Sequence, residues 1–136
     1  MDNDHILNIA SKIENHYADT HYETFAMGDM AGKVSYLLDK KIIQLEGLVG
    51  GSKILKRIQN QESLCKLFND LNVEIYLTNK INRNGDSIYI EEPSQKSINV
   101  KKMKGKLLIE PEKIFKSADL KVYAFNLKNK DFCDSN

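Results

Sequence analysis

Thr24-Phe25-Ala26-Met27-Gly28-Asp29-Met30-Ala31-Gly32 and Lys41-Ile42-Ile43-Gln44-Leu45-Glu46-Gly47-Leu48-Val49 decide the fold. Each stretch opens with a short apolar run, turns at an acidic residue beside glycine, and leads into a helical pattern. Two successive strand–turn–helix passages imply parallel pairing with right-handed crossovers. They also place Asp29 and Glu46 at the same end of two neighbouring strands. In an open α/β sheet, that end is where ligands bind.

Outward from these stretches, the first half of the chain keeps the same rhythm. Ile6, Ile9, Ala10, Ile13 and Tyr17 recur at helical spacing and give an opening helix one apolar face, suited to lie on a sheet. Ala31, Val34, Leu37 and Leu38 form the next helical face. Ser52 can cap a helix carrying Ile54, Leu55 and Ile58, and Asn60 one carrying Leu64, Leu67, Phe68 and Leu71. Val73, Ile75 and Leu77 alternate with Glu74, Tyr76 and Thr78 as a strand does.

After Thr78 the pattern turns to hairpins. Asn82-Arg83-Asn84-Gly85-Asp86 is a strong turn signal between Ile81 and Ile88-Tyr89-Ile90. Further strands are expected at Ser97 to Lys101, Lys106 to Ile109 and Leu120 to Leu127, with a short helical turn at Glu112 to Lys116 after Pro111. Tyr123, Phe125 and Leu127 share one face, which fits a last strand returning antiparallel to the sheet. The fold class is therefore α/β: a small three-layer, Rossmann-like sheet, parallel in its first half with antiparallel hairpin strands added in the second. One domain is expected over residues 1–127, followed by a disordered polar tail over residues 128–136.

Composition bounds the function. The 136 residues suffice for one core, and 41% hydrophobic with 29% charged residues is ordinary for a globular protein. Twenty basic against nineteen acidic residues leave no overall basic footprint, so no nucleic-acid partner is expected. No run approaches the roughly 20 apolar residues of a membrane span, and Met1-Asp2-Asn3-Asp4-His5 is no signal peptide. Alone, the chain reads as soluble and cytoplasmic. Cys65 and Cys133 set no framework; Cys65, beside Leu64, reads as a small core residue.

The candidate binding residues are Gly28, Asp29, Gly32, Glu46 and Gly47. Gly28 permits a tight reversal, and Gly32 lets helix and strand approach closely. Asp29 reads first as a helix cap and second as a ligand contact; the spacing is not a dinucleotide fingerprint. Glu46 is separated from the next helix by a glycine-rich loop, so it either accepts hydrogen bonds from sugar hydroxyls or latches its own loop. Lys101, Lys102, Lys104 and Lys106 form a basic run. It reads first as a solvated hairpin face and second as a contact with an anionic membrane surface. His16, Asp19 and His21 match no metal spacing and read as surface loop. No metal, cofactor or catalytic residue is assigned.

In one piece, Thr24 to Leu77 resembles the soluble C-terminal domain of bacterial polytopic membrane glycosyltransferases, the mannosyltransferase and aminoarabinose-transferase-like enzymes that use polyprenyl-phosphate sugars. The matching residues are Gly28, Asp29, Ala31, Gly32, Tyr36, Glu46, Gly47, Leu48 and Val49. The family loop more often has Asp where Glu46 stands and Asn-Ser where Gly50-Gly51 stand, and nothing after Thr78 matches. The resemblance implies an extracytoplasmic, periplasmic appendage of a larger protein, with Met1 not the native start. Its partners would be the membrane-embedded portion, a lipid-linked sugar or an anionic lipid surface. The family's catalytic carboxylates lie in that membrane portion, so none transfers here. Without the resemblance, the residues read as a stand-alone cytoplasmic protein binding a small anionic or nucleotide ligand at the strand ends.

Overall fold

The computed structural model describes residues 3–28, 31–45, 52–92, 101–128 and 131–133. Its element order is α1 (Asn3–Tyr17), β1 (Thr24–Met27), α2 (Ala31–Leu37), β2 (Lys41–Gln44), α3 (Ser52–Gln59), α4 (Leu64–Asp70), β3 (Ile75–Thr78), β4 (Asn82–Asn84), β5 (Ser87–Glu92), β6 (Met103–Leu107), β7 (Lys113–Ser117) and β8 (Leu120–Asn126). A five-stranded sheet has the order β2-β1-β3-β8-β7, and a three-stranded sheet the order β4-β5-β6. β1 pairs in parallel with β2 and β3, whereas β8 is antiparallel to both β3 and β7. This is the expected mixed α/β architecture.

Strand alternation sorts the apolar side chains into two layers. Phe25, Met27, Ile75, Leu77, Val122 and Ala124 meet Ile9, Ile13 and Tyr17 of α1 and Val34 of α2 on one face. Ala26, Tyr76, Phe125 and Leu127 meet α4 and the inner face of the small sheet on the other, through Leu67, Phe68, Ile88, Ile90 and Leu107. β3 is consequently buried along its whole length, so its alternation is between two covered faces and not between core and water.

Several sequence readings need correction, among them the turn expected over Asn82 to Asp86, whose first three residues form β4. The residues after Pro111 form strand β7, not a helical turn, because Phe115 and Ser117 turn inward and a tight turn at Ala118, with φ of 53°, brings β7 onto β8. Ser63, not Asn60, caps α4, its hydroxyl accepting from the Cys65 N–H at 3.1 Å. The strand expected at Lys106 to Ile109 begins earlier, at Met103, and pairs with β5 over Glu92↔Met103 to Ile88↔Leu107. The strand expected at residues 97–101 lies outside the described residues except for Lys101, which precedes β6. Finally, residues 131–133 are not a loose tail. Leu108 N–H donates to the Phe132 carbonyl at 2.8 Å, Phe132 is buried, and Cys133 is disulfide-bonded to Cys65 with Cα atoms 5.9 Å apart. Apolar Phe132 is what draws this polar-looking segment onto the core.

Candidate functional site

β1 and β2 end level, with Met27 opposite Gln44, and the Leu45 N–H donates to the Met27 carbonyl at 2.9 Å. Gly28 leaves β1 there and is buried; its carbonyl accepts from the Ala31 N–H at 3.1 Å, which opens α2. Gly32 lies in the first turn of α2. Asp29, Glu46 and Gly47 follow at this edge in sequence and lie outside the described residues.

What stands behind Gly28 is a carboxyl group from the other sheet. Ile88, Ile90 and Glu92 occupy the inner face of β5, and Glu92 is only 1% exposed. The Tyr76 hydroxyl donates to Glu92 Oε2 at 2.5 Å. The Tyr76 ring is held between Phe68 and Phe125, at centroid distances of 4.8 and 6.1 Å, which fixes the hydroxyl in place. A Cβ added at Gly28 would sit 2.7 Å from Glu92 Cδ and inside contact distance of Oε1. Glycine is therefore required here by the carboxyl behind it, and not by a left-handed backbone. Two residues after Tyr76, Thr78 ends β3, buried, with its hydroxyl hydrogen-bonded to the Lys80 N–H at 3.3 Å and carbonyl at 3.2 Å. The C-terminal edge of the parallel strands is thus backed by a buried polar set: Glu92, Tyr76 and Thr78.

The opposite edge is closed differently. Glu74 accepts from the N–H groups of Glu23 at 2.8 Å and Thr24 at 3.1 Å, with the Lys128 ammonium 3.5 Å away. Burial works to raise the Glu74 pKa, but the two backbone donors and Lys128 outweigh it and hold the carboxyl below its ordinary value. Those bonds tie β1 to β3 and make this edge a structural latch. Tyr17, the last residue of α1, donates to Glu112 Oε2 at 2.8 Å; burial first, then Glu112, push its phenol far above the usual range. It too is a structural group.

The basic run is divided by the pleat of β6. Lys104 and Lys106 point outward, and Lys102 pairs with Glu91 at 3.3 Å. Lys101 is exposed just before the strand. His16 ends α1 with its ring edge-on to Tyr17 and Phe115, at 4.6 and 5.6 Å. Among the described residues, no helix is long and apolar enough to cross a membrane, and no group of three His, Cys, Asp or Glu is placed to hold a metal.

Sequence reasoning missed Glu92 and Tyr76. The signal was present: Glu92 is in phase with Ile88 and Ile90, so a strand through Ile88-Tyr89-Ile90 carries a carboxyl on its apolar face. Compared with protein-family models, with curated proteins and with solved structures, the chain has no match.

Proposed function

We propose that the chain is an accessory, non-catalytic α/β domain of a membrane glycosyltransferase. It sits at the extracytoplasmic, periplasmic face of a bacterial inner membrane beside the membrane-embedded portion of the parent protein. Its C-terminal strand edge faces the lipid-linked sugar or the sugar acceptor. The observation that carries the reading is the Gly28 edge. Gly28, the first residue of the motif that the resemblance singles out, is seated against a buried carboxyl that is hydrogen-bonded to Tyr76. The Cys65–Cys133 disulfide adds support, since such bonds persist in oxidising compartments such as the periplasm.

The test is a titration of the isotope-labelled chain with a short-chain polyprenyl-phosphate sugar, followed by amide chemical shifts, together with a transfer assay. Shifts at Met27, Gly28, Ala31 and Leu45 without sugar transfer are expected. Transfer by this chain alone, or shifts that avoid this edge, would refute the proposal.

A further inference from the structure

The outward face of the β4-β5-β6 sheet combines cations with apolar groups in a way the core does not explain. Met103, Gly105 and Leu107 turn inward along β6, Gly105 approaching Leu64 and Ile90 closely. Lys104, Lys106 and then Leu108 turn outward. On β5, Tyr89 lies opposite Lys106 and Glu91 opposite Lys104. The Lys106 ammonium sits 5.9 Å from the centre of the Tyr89 ring. Tyr89 is 39% and Leu108 50% exposed, and Lys101 and Lys104 are exposed beside them. The carboxylate on these outward positions of β5, Glu91, is already paired with Lys102. The face therefore presents amines around a phenol and a leucine.

We infer that this face docks the domain on an anionic lipid surface, an inference that rests on the chain working beside a bilayer. Tyrosine sits well at the headgroup level, its ring in the apolar boundary and its hydroxyl in water. Lysine stems lie along apolar surface while their ammonium groups reach phosphate oxygens. Leu108 supplies an alkyl group that can enter the acyl boundary. Single-stranded RNA would need a platform of successive aromatic rings, and this face offers Tyr89 with a lysine over it. A protein partner would meet mainly flexible lysines, a residue type depleted from interface cores.

The experiment is co-sedimentation of the folded chain with vesicles of phosphatidylcholine, with and without phosphatidylglycerol. Binding is expected only to the anionic vesicles and should fall as salt is raised. Each lysine near such a surface is worth about fivefold in partitioning, so the double variant Lys104→Gln/Lys106→Gln should bind about 30-fold more weakly. Lys113→Gln/Lys116→Gln removes the same charge from β7, in the other sheet, and should leave binding unchanged. Both pairs are exposed or partly exposed, and circular dichroism checks that each variant folds. Three results would overturn the inference: no binding to anionic vesicles, equal loss in both double variants, or binding to single-stranded RNA in preference to the vesicles. The vesicles hold no sugar, so a negative result removes the docking face and leaves the Gly28 edge to its own titration.

Discussion

Gly28→Ala measures directly whether the glycine exists for Glu92. The new methyl cannot coexist with the carboxyl where it stands, because Cβ would be 2.7 Å from Cδ and 3.1 Å from Oε2. The carboxyl must swing away from Tyr76, and loss of that buried hydrogen bond costs about 1–3 kcal/mol. Against this, Gly28 is not in the left-handed region, so alanine there restricts the unfolded chain and returns about 0.4–1 kcal/mol. The expected net effect is a destabilisation of about 1–2 kcal/mol, or roughly 4–8 °C in Tm for a domain of this size. The same substitution in a Glu92→Ala background meets no carboxyl, so only the favourable term remains and its sign should reverse. Urea denaturation followed by circular dichroism on the four proteins of this cycle gives the coupling, expected at about 1.5–3 kcal/mol. Equal destabilisation by Gly28→Ala in both backgrounds would show that the clash is with something else and would refute the reasoning.

Two further outcomes follow from the latches. The Cys65–Cys133 bond spans a sequence separation of 68 residues, so reduction should lower stability by about 2–4 kcal/mol and free Phe132 from the core. Mass spectrometry of the alkylated, unreduced protein checks the bond itself, and two modified thiols would disprove it. Glu74 has a folded pKa below its ordinary 4.5, so its stabilisation is present above that pH and is lost as pH falls through the lowered value. Glu74→Gln keeps an acceptor for Glu23 and Thr24. Its stability deficit relative to the unsubstituted chain should therefore be constant above about pH 5 and shrink at lower pH; a deficit independent of pH would contradict the latch.

The parallel half was legible because its signals are local. Thr24 to Met27 is both the expected and the observed strand, bounded by Gly28, and the helical face of α1 follows from spacing alone; the α2 face holds for Ala31, Val34 and Leu38, whereas Leu37 is exposed. The turn signal over Asn82 to Asp86 was plain in kind but too wide: Asn82–Asn84 pair with β5 as β4, and the reversal is confined to Gly85, at φ of 65°, and Asp86. Apart from the Ser63 cap, which is set by the Cys65 N–H two residues on, the main failures depend on distant partners. β7 is a strand because β8 is beside it, and nothing between Pro111 and Lys116 says so. Cys133 finds Cys65 only because Phe132 is drawn to the small sheet. At the site, Gly28 was legible as a special position, but its reason lay 64 residues away in the strand that carries Glu92.

That reason changes what the glycine implies. A glycine after a strand is commonly read as leaving room for a ligand to approach the backbone. Here the room behind Gly28 is filled from within, by a carboxyl locked to Tyr76. The hydrogen bond pins β3 of the large sheet to β5 of the small one directly behind the end of β1, so Gly28 is spoken for by the packing of the two sheets.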